Sequence, residues 1–221
     1  MRAIFHFIKR VYNFFYRKLK DILYAMLMWL PYFHFIKNTV NSQSRITLRI
    51  WFMQKVLGFN KNVYWPVHFT SKINQYKHIL VGVDTTPGIE PGCYIQGIGK
   101  VYIGDYVRIA QNVGIISSNH DLYDAYKHDL TSEVHIGSYS WLGMNSVILP
   151  NVTLGDFTIV GAGAVVTKSF PDGYCVIGGN PAKVIKLLEI EKCVRYHSME
   201  EYVGYMKKED FIDYRKNNLW V

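Results

Sequence analysis

The sequence predicts an all-β solenoid, a three-sided parallel β-helix, and three observations predict it. First, Ile136, Leu142, Ile148, Leu154, Val160 and Val166 are branched aliphatics spaced six apart without a miss, and Gly137, Gly143, Gly155 and Gly161 follow four of them. Second, the positions four further on carry Ser140, Ser146, Val152, Thr158 and Ala164, small residues that suit a tight corner between two flat sides. Third, the rhythm runs back through the chain. Ile73, Ile79, Ile103, Ile109 and Ile115 share one phase, and Val83, Ile89, Ile95, Val101, Val107 and Val113 hold the position four further on. A helix repeats near 3.6 residues and a half-buried strand repeats at 2, so neither produces this pattern. A side of about six residues that sends one aliphatic into a narrow interior does.

Residues 1–60 read as a helical extension. Arg2, His6, Lys9, Arg10, Asn13, Arg17, Lys20 and Asp21 recur at helical spacing, while Ile4, Phe5, Ile8, Val11, Tyr12, Phe15, Leu19 and Ile22 fill the other side. Pro31 ends or kinks this helix. The charge-free run from Ile22 to Ile36 is too short to cross a bilayer, which takes about 20 apolar residues. It also lacks the small-residue cleavage site of a signal peptide. Two readings remain: a basic amphipathic helix on an anionic membrane surface, using residues 1–36 with Tyr24 and Trp29 buried in the interface, or a helix packed on the repeat domain or its oligomer.

The net charge of +8 is unevenly placed. Residues 1–55 hold ten Lys/Arg and one Asp, so the basic excess belongs to the extension, and no nucleic-acid partner is expected. Cys93, Cys175 and Cys193 have no ligand spacing and fit packing in a reducing, cytoplasmic compartment.

The coils occupy residues 61–185, with Thr85, Pro91 and Gly97 making the early ones less regular. The phase slips between Ile115 and Ile136, which marks an inserted loop at 118–134, SNHDLYDAYKHDLTSEV. Loops of this length inside a regular array are commonly functional. Residues 186–221 read as a C-terminal helical tail. Ser198 and Glu201 have capping-box spacing, Met199, Tyr202, Val203 and Met206 form an apolar face, and the helix is expected to cover the last coil.

The hexads, Trp141-Leu142-Gly143, Ile148-Leu149-Pro150-Asn151-Val152, the run Gly161 to Lys168, and Gly179-Asn180-Pro181-Ala182-Lys183-Val184-Ile185 together resemble the hexapeptide-repeat acyltransferases. The subgroup is that of the maltose, galactoside and nodulation O-acetyltransferases, the xenobiotic acetyltransferases and the colanic-acid and lipopolysaccharide O-acetyltransferases. The resemblance covers about residues 63–188. It implies a left-handed β-helix, a hand that general crossover rules would not have chosen. It also implies a homotrimer with acetyl-CoA, the acyl donor, held between neighbouring subunits.

On this resemblance His120 is the catalytic base. Acetyl transfer to a hydroxyl needs a group of near-neutral pKa to take a proton and return it to the departing thiol, and imidazole does both. Asp121 is expected beside it in the reaction, with Asp121 or Asp124 fixing its tautomer or binding the acceptor together with Asn119 and Trp141. Met144 and Ala162 take the acyl and pantetheine positions, and Thr167, Lys168, Lys183 and Lys186 the nucleotide end. Glu90 stands where relatives of the maltose enzyme place Asn, which leaves the acceptor geometry open. His128 and His135 prompt a metal check, since γ-type carbonic anhydrases share the solenoid, but their spacing from His120 does not suggest one wall, and no metal is expected.

The implied activity is O-acetylation of a sugar hydroxyl in capsule, exopolysaccharide or lipopolysaccharide synthesis, on an acceptor that is a carbohydrate or a lipid-linked one. The alternatives are N-acetylation of an aminosugar, acetylation of a xenobiotic, and a non-catalytic scaffold.

Overall fold

The computed structural model describes residues 2–221, without the side chains of residues 2–5, 7, 8, 16, 20, 23, 24 and 28. The parts of the two-faced reading that use Arg2, Ile4, Phe5, Ile8, Lys20 and Tyr24 therefore lie outside the described side chains.

Three sheets form the sides of a parallel coil stack. The first side holds Lys72–Asn74, Tyr94–Gln96, Gly114–Ile116, Val147–Ile148 and Val165–Val166. The second holds Ile79–Val81, Lys100–Ile103, Glu133–Ile136 and Thr153–Leu154. The third holds Arg108–Ile109, Trp141–Leu142, Thr158–Val160 and Cys175–Gly178. In the regular coils the partners Val147↔Val165 and His135↔Thr153 are three hexads apart, so each coil spends one hexad per side. Both subpatterns of the repeat point inward. Leu142, Ile148 and Val166 are fully buried, and so are Ser140, Ser146, Thr158 and Ala164 at the corners. The corner hydroxyls are satisfied locally: Ser146 donates to the Gly143 carbonyl at 2.7 Å and Thr158 to the Gly155 carbonyl at 2.7 Å. The irregular stretch lies where the hexads weaken, since no strand forms between Val81 and Tyr94.

The corner between the second and third sides has its own device. Tyr106, Tyr139, Phe157 and Tyr174 all sit at positive φ, a conformation that bulky side chains rarely adopt. They stack into a ladder: Tyr106–Tyr139 at 5.2 Å, Tyr139–Phe157 at 4.9 Å and Phe157–Tyr174 at 5.2 Å between ring centroids. Face contacts between aromatic rings offset the backbone cost.

The C-terminal segment departs from expectation in two ways. Residues 199–206 are not a helix: Tyr202–Val203 and Met206–Lys207 pair as an antiparallel hairpin, and the helix begins later, at Lys208–Asn218. Gly204, at φ +60°, makes the turn, where an added Cβ would lie 2.4 Å from the Tyr64 carbonyl oxygen. Met199, assigned to an apolar face, is exposed.

Nor does the helix cover the last coil. Phe211 stacks on Tyr64 at 5.3 Å and the Trp220 N–H donates to the Lys77 carbonyl, so the helix covers the start of the stack. The last coil is instead closed by Lys183–Leu187, an antiparallel strand on Cys175–Gly178. Between the two ends the chain runs back along the aromatic corner. Leu188 N–H donates to the Tyr174 carbonyl, Arg195 pairs with Asp156 at 2.8 Å, Tyr139 hydroxyl donates to the Tyr196 carbonyl, and Ser198 N–H donates to the Tyr106 hydroxyl.

The N-terminal segment begins with the helix Arg2–Trp29 and joins the body at a small core of Phe33, Phe35, Ile36, Ile46 and Tyr202. No helix among the described residues is long and apolar enough to cross a membrane.

Candidate active site

The loop predicted from the phase slip is present, between the first and second sides, but it ends two residues earlier than expected. Glu133–Ile136 is already strand, and Val134 is buried opposite Val101. Buried serines and a glutamine fix its feet to the coil above. Ser117 donates to the Gln96 carbonyl at 2.6 Å, Ser118 N–H donates to Gln96 Oε1 at 2.9 Å, and Lys100 N–H donates to the Ser132 carbonyl at 3.1 Å.

Within the loop, His120 and His128 face each other across an isolated antiparallel bridge, their rings 4.1 Å apart. His120 Nδ1 lies 2.6 Å from the Ala125 carbonyl oxygen. A carbonyl only accepts, so Nδ1 carries the hydrogen and the neutral ring keeps its lone pair on Nε2. His128 Nδ1 is buried without a partner among the described residues.

This geometry corrects the reading of the loop acids. Asp121 Oδ1 accepts from the Tyr123 and Asp124 amides at 2.8 and 2.9 Å, while Asp124 accepts from the Tyr126 amide and pairs with Lys127 at 3.1 Å. Both shape the turn, and neither fixes the His120 tautomer; the Ala125 carbonyl does. Hydrogen bonds from Ser132 and Thr131 hold the Asp129 carboxyl down at about 2. What that carboxylate contributes to the loop is therefore complete above its ordinary range and lost only as pH falls through about 2.

His120 opens on a cleft of about 490 Å³ that Asn119, Asp121, His128, Pro150 and Asn151 also line. Trp141 and Met144 line a different cleft, of about 460 Å³, with Glu90, Arg108 and Gln111. The two share no residue, because the first lies at the corner between the first and second sides and the second runs from the third side to the next corner. Met144 and Ala162 follow strands of the third side, and their amides make no hydrogen bond among the described residues. Thr167 and Lys168 lie at the His120 corner, below Pro150 and Asn151, and are exposed. Lys183 and Lys186 are exposed on the closing strand. His135 is elsewhere, stacked on Tyr102 at 4.6 Å and bonded to Glu133 at 2.9 Å.

Two groups escaped the sequence reading. Ala125 contributes only a carbonyl, which no residue pattern announces. Arg108 sits beside a buried hexad aliphatic, yet its guanidinium reaches the Trp141 cleft, with Nε buried and unpartnered among the described residues.

Residues 133–168 match the family described as bacterial transferase hexapeptide (six repeats). The galactoside O-acetyltransferase of Escherichia coli (strain K12) is 34% identical over 105 residues, covering 46% of this chain and 50% of that protein. A candidate acetyltransferase of Staphylococcus aureus is 35% identical over 104 residues, covering 46% of this chain and 52% of the other. The chain thus spans about half the length of the curated relatives it matches. Among solved structures, a galactoside acetyltransferase in complex with coenzyme A is 26% identical with a TM-score of 0.52, covering 63% of this chain and 70% of that one. Repeat period and parallel sides agree with these matches: residues 133–168 of the coil stack carry the hexapeptide repeat that the bacterial transferase family model describes.

Proposed function

We propose that the protein transfers acetyl from acetyl-CoA to a sugar hydroxyl, as a homotrimer whose coils wind in the left-handed sense of the family it resembles, in the cytoplasm or at the cytoplasmic face of the membrane, and in the synthesis of a surface polysaccharide. The observation that carries this reading is the tautomer of His120, an exposed imidazole whose Nδ1–H is tied to a carbonyl and whose Nε2 is left as a base beside an open cleft. Galactoside O-acetyltransferase among the relatives supports the sugar acceptor, and a neighbour bound to coenzyme A supports the donor.

The residues present fit acetyl-CoA. The unbonded amides of Met144 and Ala162 are donors for the acyl and pantetheine carbonyls, and an added Cβ at Gly163 would meet nothing within 4 Å, so the backbone is open to a close ligand. Lys168, Lys183 and Lys186 make no ion pair among the described residues and are available to phosphates. His120 Nε2 takes the proton of the acceptor hydroxyl as its oxygen attacks the thioester carbonyl, and the imidazolium then protonates the departing thiolate. Throughout, the Ala125 carbonyl keeps the ring in place. The separation of the His120 and Trp141 clefts is what a site between two subunits would produce.

The test is transfer of labelled acetyl from acetyl-CoA to galactosides and to surface-glycan oligosaccharides, scored by hydroxylamine cleavage, which removes esters and spares amides. Ester product is expected. No binding of acetyl-CoA by calorimetry would overturn the reading.

His128 provides a finer check, since its ring is the surface against which His120 rests. His128→Ala is expected to lower kcat about tenfold to a hundredfold while the KM for acetyl-CoA stays unchanged, and His128→Phe, which keeps a ring there, to restore most of the rate. Equal losses in both variants would assign His128 a chemical role in place of a positioning one.

A further inference from the structure

The helix Arg2–Trp29 is the largest feature that acetyl transfer leaves unused. Its described packing on the body is confined to the C-terminal end, where Leu27 meets the core of Phe33, Phe35 and Ile36. Along the rest, Val11, Phe14, Phe15, Leu19, Ile22 and Met26 are exposed, Phe15 and Met26 at 64%, and Trp29 at the end is 90% exposed. At the helical period these residues fall on one face of about 140°. Lys9, Arg10, Asn13 and Arg17 fall on the opposite face and are exposed as well. Soluble proteins rarely leave so continuous an apolar strip uncovered.

We propose that this helix lies flat in the surface of an anionic lipid bilayer, its apolar face in the acyl boundary and its cations among the headgroups. Charge favours this occupant. Asp21 is the sole acid in the first 55 residues, and beyond the helix Lys37, Arg45 and Arg49 are exposed too. Depth favours it over a crossing, because no described helix is apolar enough to span. Shape favours it over a bundle of α-helices from neighbouring copies. A bundle seam is narrower than this face, and packing three such helices together would crowd like charges with one acid per chain to offset them. Lys18 points the same way: it lies within the apolar arc, where a bundle would bury it, but at a lipid surface its stem lies along the apolar region and its ammonium reaches the headgroups. The consequence for the proposed reaction, resting on that reading, is that an acceptor tethered to lipid would be met at the surface where the protein is held.

Flotation of the full-length protein with vesicles tests this. It is expected to float with equal parts phosphatidylcholine and phosphatidylglycerol, and to bind about tenfold or more weakly to phosphatidylcholine alone or in high salt. Arg10→Gln with Arg17→Gln is expected to weaken binding about tenfold. Leu19→Glu with Ile22→Glu should remain unbound, with a thermal melt of the body matching the wild type. Wild-type protein that fails to float, or a Glu variant that floats as well, overturns the proposal. So does sedimentation velocity showing, without lipid, a larger assembly that the Glu variant loses, since the helix would then be a bundling element. None of these readouts depends on acetyl transfer, so the two readings fail separately.

Discussion

His120→Ala is expected to abolish detectable acetyl transfer while acetyl-CoA binds as before. General-base catalysis contributes about 10²–10⁴ in rate, or about 3–5 kcal/mol of barrier. The loss should approach the upper end, because no other base in the cleft is placed to substitute. Asp121 and Asp124 are committed to loop amides, Asp129 to Ser132 and Thr131, and the His128 Nδ1 is buried without a partner among the described residues. The groups assigned to the donor, the Met144 and Ala162 amides and Lys168, Lys183 and Lys186, make no hydrogen bond to His120, so calorimetric affinity for acetyl-CoA should change little. A His120→Ala protein with ordinary turnover would remove the imidazole from the mechanism.

Arg108→Met is expected to have the largest effect on stability, about 3–5 kcal/mol, read as a lower denaturant midpoint. Arg108 pairs with Asp84 at 3.0 Å, and the Asp84 side chain is only 7% exposed. The same guanidinium donates to the Asp84 carbonyl, to Ser44 Oγ and to the Tyr196 hydroxyl, each at 2.9 Å, while Ser42 donates to the Asp84 carboxylate. One cation thus joins the N-terminal segment, the coils and the returning tail. Removing it strands a carboxylate in a poorly hydrated place, which costs more than the pair contributes. Adding Asp84→Asn to Arg108→Met should recover part of the loss, and a double variant no better than the single one would show that the stranded charge is not the cause.

The coil stack was legible because its determinant is periodic. Leu142 on the third side and Ile148 and Val166 on the first each fill the inward position of their own hexad, and a pattern repeated that often leaves no other period to choose. The interrupting loop was legible for the same reason, as a break in phase, and with it the position of His120. What holds His120 was not legible. The Ala125 carbonyl and the His128 ring come to it through a turn with no repeat, so the nearby carboxylates drew the assignment. The tail was misread through a coincidence of spacing. Met199, Tyr202, Val203 and Met206 fit a helical face, but Gly204 at positive φ turns the chain there, and burial divides them between Tyr202 and Val203 inside and Met199 outside. Where the helix would then dock depends on contacts with Tyr64 that are remote in sequence, which local spacing does not encode.

The two clefts with no residue in common have a genetic consequence under the trimer reading. If one chain supplies the imidazole and its neighbour the Trp141 wall, two alleles that are each inactive can complement. Co-expressing a His120→Ala chain with a chain disabled at Trp141 should yield mixed assemblies in which about one quarter of the junctions unite two undamaged halves. Activity would reappear from two silent parents, whereas a site contained within one polypeptide would stay silent however the chains were combined.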